Sequence, residues 1–163
     1  MDSQAFTLFH VVISLIAIVA GLIVLYGLLT ANRMAAMTLV FLVTTIATSV
    51  TGFFFHRDHL LPSHVVGIIS LVVLALTTFA LYGGKLRGFW RPVYVIGAVI
   101  SLYLNVFVLV VQSFLKVPAL HELAPNGSEP PFAIAQGVVL TAFIVLGVLA
   151  VKRFHPATPS GDR

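Results

Sequence analysis

The sequence predicts an all-α integral membrane protein, built as one bundle of five transmembrane helices. Apolar residues make up 60% of the 163 residues and charged residues only 9%, with a mean hydropathy of +1.10. Such a chain has too little polar surface to enclose a water-soluble core. Its polar residues fall between five apolar runs, each close to the ~20 residues that cross a bilayer. No room is left for a separate soluble domain.

Each predicted span has recognisable ends. The first apolar run follows a start without positive charge and is long for a signal peptide, which indicates a retained helix. Arg33 marks the turn into the second span, and Pro62 separates the second from the third. Gly83-Gly84 end the third span, and Pro92 suits the first turn of the fourth. The predicted spans are residues 6–30, 34–55, 64–82, 93–115 and 132–151, within one domain, 1–155, and the polar tail, 156–163, is expected to be disordered.

Lysine and arginine are divided unevenly between the two ends of the predicted bundle. Seven of the nine share the end that holds the C-terminus, whereas Arg57 and Lys116 lie at the other. The positive-inside rule therefore places the N-terminus outside and the C-terminus in the cytoplasm. Basic loops beside a membrane meet anionic lipid, so the net charge of +4 predicts no nucleic-acid partner. The seven residues are Arg33, Lys85, Arg87, Arg91, Lys152, Arg153 and Arg163.

Five of the six histidines fall at the outer end, where they suggest a ligand site. His10 lies inside the first span, where an ionisable group is costly and usually faces the protein interior. If the second helix continues past His56, His56 and His59 share a face, and the hairpin returns His64 to the same depth. Imidazoles with a carboxylate bind divalent transition metals, and two facing imidazoles ligate haem b. The candidate metal ligands are His10, His56, His59, His64, His121 and Glu122, and the candidate cofactor-binding residues are His10, His56, His64 and Gln112.

A plainer interpretation of the same residues is that the loop histidines are hydrated interfacial side chains and His10 is bonded to a neighbouring helix. The same alternatives apply to the polar residues inside the spans, which either line an outward-facing pocket or join helices by hydrogen bonds. These polar residues are Thr45 and Ser49, which share a face with His56, then Ser101, Asn105, Gln112 and Lys116 on one face of span four, and Gln136 in span five.

Small residues recur at the spacing that lets helices approach closely. They predict tight packing at four faces, carried by Ala17 and Gly21, by Thr45, Ser49 and Gly52, by Gly97 and Ser101, and by Ala133 and Gly137.

Several kinds of chemistry have no basis in the sequence. The absence of cysteine excludes disulfides, thiolate metal sites and thiol catalysis. No serine in a span has a credible acid–base partner, and no two carboxylates fall within reach of each other in the membrane. An enzyme acting alone is therefore the least favoured class.

One resemblance extends over nearly the whole chain. The segments LNVFVLVVQ (104–112), KVPAL (116–120), SEPPF (128–132) and TGFFF (51–55) resemble a group of small uncharacterised bacterial integral membrane proteins. The resemblance implies a multi-pass protein of the bacterial inner membrane. It implies no activity and no site residue.

The favoured hypothesis is a small binding protein or accessory subunit whose periplasmic-side histidines hold a metal ion or haem, with the lipid bilayer and other membrane proteins, or further copies of itself, as partners. A transport component is the first alternative, with His10, Asn105, Gln112 and Gln136 along a path. A purely structural subunit of a larger membrane complex is the second.

Overall fold

The computed structural model describes residues 3–55 and 62–156, and every regular element within them is helical. Among these residues, five helices are long and apolar enough to cross a membrane, which confirms the predicted number of membrane-length helices. The predicted orientation stays a prediction. The elements are α1 (Gln4–Leu29), α2 (Ala35–Gly52), α3 (Pro62–Thr78) with a π-helical segment (Phe79–Gly83) after it, α4 (Trp90–Lys116), the short α5 (Pro118–Leu123) and α6 (Pro130–Arg153).

Four of the long helices form a closed ring, and the fifth packs beside it. α1 packs on α2, α2 on α3, α3 on α4, and α4 back on α1. α6 lies against α4 and α1, while α5 contacts the end of α4. The chain therefore brings its first and fourth helices together and uses both to hold the last one.

Two helix ends differ from the sequence prediction by three residues, and one short helix was not predicted. α2 ends at Gly52 and not at the predicted residue 55, so the condition that it continues past His56 is not met. The N–H groups of Phe53 and Phe54 bond carbonyls only three residues back, which tightens the chain into a turn. α4 begins at Trp90, three residues before the predicted start. Pro92 does not prevent this, because the N–H groups in the first turn of a helix have no helical partner and a proline there removes no hydrogen bond. The short α5, with Pro118 as its first residue, was not predicted.

The buried core lies in one half of the bundle. Leu28, Phe41, Leu74, Tyr94 and Phe154 belong to one cluster and are at most 2% exposed. We call this the basic half, because it includes the ends of the helices that lead into the loops with Arg33 and Lys85–Arg91. The opposite half, which carries His10, His64 and His121, is called the histidine half.

The histidine half is packed more openly than the basic half. Among the described residues, α1 buries nothing before Ala17, and the one buried residue of α6 is Ala150, close to its basic end. Large apolar side chains such as Leu8 and Ile134, each 65% exposed, cover the outer surface of this half. A surface of this kind suits contact with lipid.

Two of the predicted small-residue contacts are confirmed and one is wrong. A Cβ on Gly21 would lie 2.5 Å from Leu102 Cδ1, and one on Gly97 would overlap Thr77 Oγ1. These glycines therefore let α1 and α3 approach α4 directly. A Cβ on Gly137 meets no atom within 4 Å, because the face of α6 that carries it points away from the bundle.

Arg91 and Phe154 fasten α6 to the basic half. Arg91 Nη1 donates hydrogen bonds to the carbonyl oxygens of Val151, at 3.0 Å, and Phe154, at 2.7 Å. The Phe154 ring is 1% exposed and packs 5.9 Å from the ring of Tyr94. The cation thus satisfies carbonyls at the end of α6 that have no helical partner of their own.

Candidate functional site

His10 joins α1 to the end of α2 in the histidine half. Its Nδ1 lies 2.8 Å from the hydroxyl oxygen of Thr51, a residue 41 positions along the chain. The two helices form an antiparallel hairpin, so residues at corresponding depths face each other across it. The expectation that His10 turns towards the protein interior agrees with this contact.

The hydrogen bonds of Thr51 favour one of the two neutral forms of the His10 ring. Thr51 Oγ1 donates to the carbonyl of Ala47, at 2.7 Å, one turn back in α2. A hydroxyl has a single hydrogen to donate, and with that hydrogen given to Ala47 the same oxygen is the acceptor towards His10. We therefore assign the proton of the neutral ring to Nδ1, which leaves a lone pair on Nε2. No hydrogen bond joins Nε2 to any residue in the described part of the chain.

Aromatic rings and a glycine surround the imidazole. The Phe55 ring lies edge-on to it at 5.0 Å, and Phe6 packs 5.1 Å from Phe55. A Cβ on Gly52 would stand 3.8 Å from His10 Cε1, which is ordinary contact distance. The ring is therefore half-buried beside apolar groups, with one nitrogen fixed and the other able to accept a hydrogen bond or bind a metal.

The other predicted ligands are not gathered around His10 by the described residues. His64 is half-buried in the first turn of α3, where its ring lies 5.8 Å from Phe53. His121 and Glu122 are exposed on α5, and Gln112 is exposed on α4. His56 and His59 lie outside the described residues. Over residues 3–55 and 62–156, no group of three His, Cys, Asp or Glu side chains is arranged to hold a metal ion.

The polar residues inside the spans bond to one another across helices. Asn105 Nδ2 donates to Thr45 Oγ1 at 3.2 Å, joining α4 to α2. Ser49 of α2 donates to Ser70 of α3 at 3.1 Å. These pairs match the alternative in which polar residues join helices, and each of them occupies groups that a pocket would need free.

Two polar atoms in the same region keep unused hydrogen-bonding capacity. Gln136 Nε2 donates to the carbonyl of Phe107 at 3.2 Å, but its Oε1 has no partner within the described part of the chain. The hydroxyl of Ser101, a residue with 0% exposure, also has no hydrogen-bond partner within the described part of the chain.

Thr51, the hydrogen-bond partner of His10, is the residue of the candidate site that sequence reasoning missed. The sequence contains a signal for it: in a hairpin with its turn at residues 30–34, His10 and Thr51 are at similar depths in neighbouring helices. Ser70, the partner of Ser49, was also missed, because residue spacing within each helix does not give the register of α2 against α3.

The loop before α6 is ordered by a carboxylate. Glu129 accepts hydrogen bonds from the side-chain amide of Asn126, at 2.8 Å, and from the N–H groups of Asn126 and Ser128, both at 3.0 Å. Desolvation acts to raise the pKa of Glu129, but these hydrogen bonds outweigh it and lower the pKa. The carboxylate is thus engaged in shaping the loop.

Comparisons of the chain with protein families, with curated proteins and with solved structures give no match.

Proposed function

We propose that the chain is a multi-pass protein of the bacterial inner membrane, with a periplasmic N-terminus and a cytoplasmic C-terminus. We further propose that it serves as a binding or accessory subunit whose histidine half takes a haem or a metal ion on His10. Five membrane-length helices and the uneven distribution of Lys and Arg support the first part.

The observation that carries the ligand proposal is the hydrogen bond between His10 and Thr51. Metal-binding histidines usually donate their other ring N–H to an acceptor, which fixes the ring and the tautomer. His10 has this arrangement in the assigned tautomer: Nδ1–H donates to Thr51, and Nε2 has no hydrogen-bond partner among the described residues. The plainer role, a histidine that only joins two helices, requires one nitrogen and leaves the second unused.

The surroundings of His10 favour haem over a bare divalent ion. A zinc site takes three or four protein ligands, whereas haem iron takes only axial ones. The described residues hold no three-ligand group, and Phe6 and Phe55 give the ring an apolar setting. An imidazole beside the Phe55 ring, with no three-ligand group around it among the described residues, therefore suits the ligand that brings most of its own coordination.

The test is purification in mild detergent from cells supplied with haem and trace metals, followed by a visible spectrum and elemental analysis. We expect a Soret band or bound metal in the wild type and in the control His121→Ala, which removes an exposed histidine. His10→Ala should lose the ligand. A wild type that stays without ligand when haem and divalent metals are titrated into it contradicts the proposal.

A structural subunit of a larger membrane complex is the second candidate. The observation in its favour is the outward face of α6, where Ala133 and Gly137 leave a smooth strip beside Val138, which is 64% exposed. Such a strip admits a partner helix closely. Cross-linking in native membranes tests this: Gly137→Leu should abolish a cross-linked product that Val138→Leu preserves.

A further inference from the structure

A groove runs along α3 on the outer surface of the basic half. It has a volume of about 480 Å³ and extends from Leu71 to Gly83, with Ile46 of α2 forming the opposite wall. Twelve residues of helix correspond to about 18 Å. One leaflet of the hydrocarbon core is roughly 15 Å thick, half of a ~30 Å bilayer. The groove therefore has the length of one leaflet, from the bundle middle to the loop after the π-helical segment.

Two positively charged side chains follow the groove at its open end. Lys85 and Arg87 follow Gly83 by two and four residues, and both are exposed. Arg91 is different, because its guanidinium is engaged by the α6 carbonyls. The acidic residues in the described part of the chain, Glu122 and Glu129, both belong to the histidine half. Anions that approach this end of the groove consequently meet two available cations.

The wall of the groove is apolar apart from two hydroxyl side chains, Thr78 and Tyr82. Thr77 donates its hydroxyl to the carbonyl of Val73, but the buried Thr78 hydroxyl has no partner in the part of the chain that the structure describes. Phe79 lines the groove and packs 4.9 Å from Trp90, a residue type that favours the level of lipid headgroups. The groove thus offers apolar contact along its length and cations at its open end.

We propose that this groove binds one anionic phospholipid. An acyl chain lies along α3 from Gly83 towards Leu71, and the phosphate meets Lys85 and Arg87. A lipid fits better than a protein helix, because the groove ends at charged residues and has the depth of one leaflet. The proposal requires insertion in a membrane and is independent of any ligand on His10.

Native mass spectrometry of the full chain in detergent tests the proposal, with phosphatidylglycerol and phosphatidylethanolamine as the two probes. We expect phosphatidylglycerol to bind more tightly. The double variant Lys85→Gln/Arg87→Gln should weaken phosphatidylglycerol binding by about fivefold per charge, or about thirtyfold together. The matched control is Lys152→Gln/Arg153→Gln, which removes two exposed cations from the same end of the bundle and should retain binding.

Two further variants test the groove itself. Ala75→Phe places a ring in the groove from an exposed position and should abolish lipid retention, while Ala133→Phe, on the exposed face of α6, should not. Circular dichroism verifies that each variant is folded.

Three outcomes would overturn the proposal. One is equal affinity for the two lipids. Another is an equal loss of binding in the Lys152/Arg153 control. The third is a dimer of the wild type that Ala75→Phe converts to monomer, because the groove would then hold a second copy of the chain.

Discussion

The basic half and the histidine half of the bundle use their polar groups differently. In the basic half, Arg91 donates hydrogen bonds to two backbone carbonyls of α6, next to the Phe154 ring, which is almost fully buried. In the histidine half, one ring nitrogen of His10 is hydrogen-bonded to Thr51, and the other has no hydrogen bond among the described residues. Few residues in this region are buried. Both residues join two helices, but Arg91 does so through backbone carbonyls, whereas His10 has a second ring nitrogen without a hydrogen bond among the described residues.

The difference indicates how stability and binding are separated in this small bundle. Dense packing around Leu28, Phe41 and Tyr94 stabilises the fold from one end. The other end can then contain a histidine with one ring nitrogen that makes no hydrogen bond among the described residues, because the stability of the fold does not depend on a buried core there. Changes in the basic half should therefore act on stability, and changes around His10 on ligand binding.

The largest effect is expected from Phe154→Ala. Removing a buried phenylalanine ring costs about 3 kcal/mol or more in the free energy of unfolding, through lost burial and the cavity left behind. Unfolding in mixed micelles measures the loss, and Phe89→Ala is the control, because Phe89 is 74% exposed at the same end of the bundle. Equal destabilisation by both variants would contradict the assignment of Phe154 to the core.

Arg91→Gln should have the next largest effect. Hydrogen bonds to charged groups contribute about 1.5–3 kcal/mol, so we expect a loss of about 2 kcal/mol in the free energy of unfolding. Hydrogen exchange should accelerate over the last turn of α6. Arg87→Gln removes a charge from the same loop but from an exposed side chain, and α6 should then exchange as in the wild type.

Thr51→Val tests the histidine half. Loss of the acceptor for Nδ1–H should weaken haem binding about tenfold, as when a partner of a ligating histidine is removed. The free energy of unfolding should fall by less than about 1 kcal/mol. Thr44→Val is the matched control, since the Thr44 hydroxyl bonds only backbone carbonyls of α2. Unchanged haem affinity in Thr51→Val would separate Thr51 from the site.

A smaller effect is expected for the pair formed by Asn105 and Thr45. A double-mutant cycle with Asn105→Ala and Thr45→Val should give a coupling energy of about 0.6 kcal/mol, the average for such bonds in a bilayer. The cycle of Asn105→Ala with Ser49→Ala should give none, because Ser49 bonds Ser70 instead. A coupling energy near zero for Asn105 and Thr45 would leave the polar residues available for another role.

The smallest effect concerns the pH response of the loop before α6. Because its hydrogen bonds lower the pKa of Glu129 in the folded state, their stabilisation is present above the unfolded pKa. It is lost as pH falls through the folded pKa, when the carboxyl takes up a proton. Exchange of the Asn126 and Ser128 amides should therefore accelerate at acid pH, and at all pH values in Glu129→Gln. Glu122→Gln, on the exposed α5, should not change it.

Most of the fold could be predicted from the sequence, because length and apolarity of the runs determine the number of helices that can cross a membrane. The tight contacts of Gly21 and Gly97 followed from the spacing of small residues. That spacing does not say which face of a helix is covered, so the same reasoning was wrong for Gly137. The end of α2 at Gly52 depends on a turn made by Phe53 and Phe54. The apolar character of these residues does not predict that turn, because apolar side chains would equally continue the helix.

The candidate site was predictable only in part. The cost of an ionisable group in an apolar helix was enough to single out His10. Its partner could not be deduced with the same ease, because a threonine in a helix commonly bonds its own backbone, as Thr51 also does. The tautomer follows from both bonds of Thr51 together, and these require atomic positions.

The most direct test of the account is the protonation of the two ring nitrogens of His10. Nitrogen NMR of the ligand-free protein with ¹⁵N-labelled histidine, in lipid bilayers at neutral pH, measures it, and His10→Ala identifies the signals. The account predicts a neutral ring with the proton on Nδ1 and none on Nε2. A proton on Nε2 would contradict it, because the nitrogen assigned to the ligand would then have no lone pair to offer.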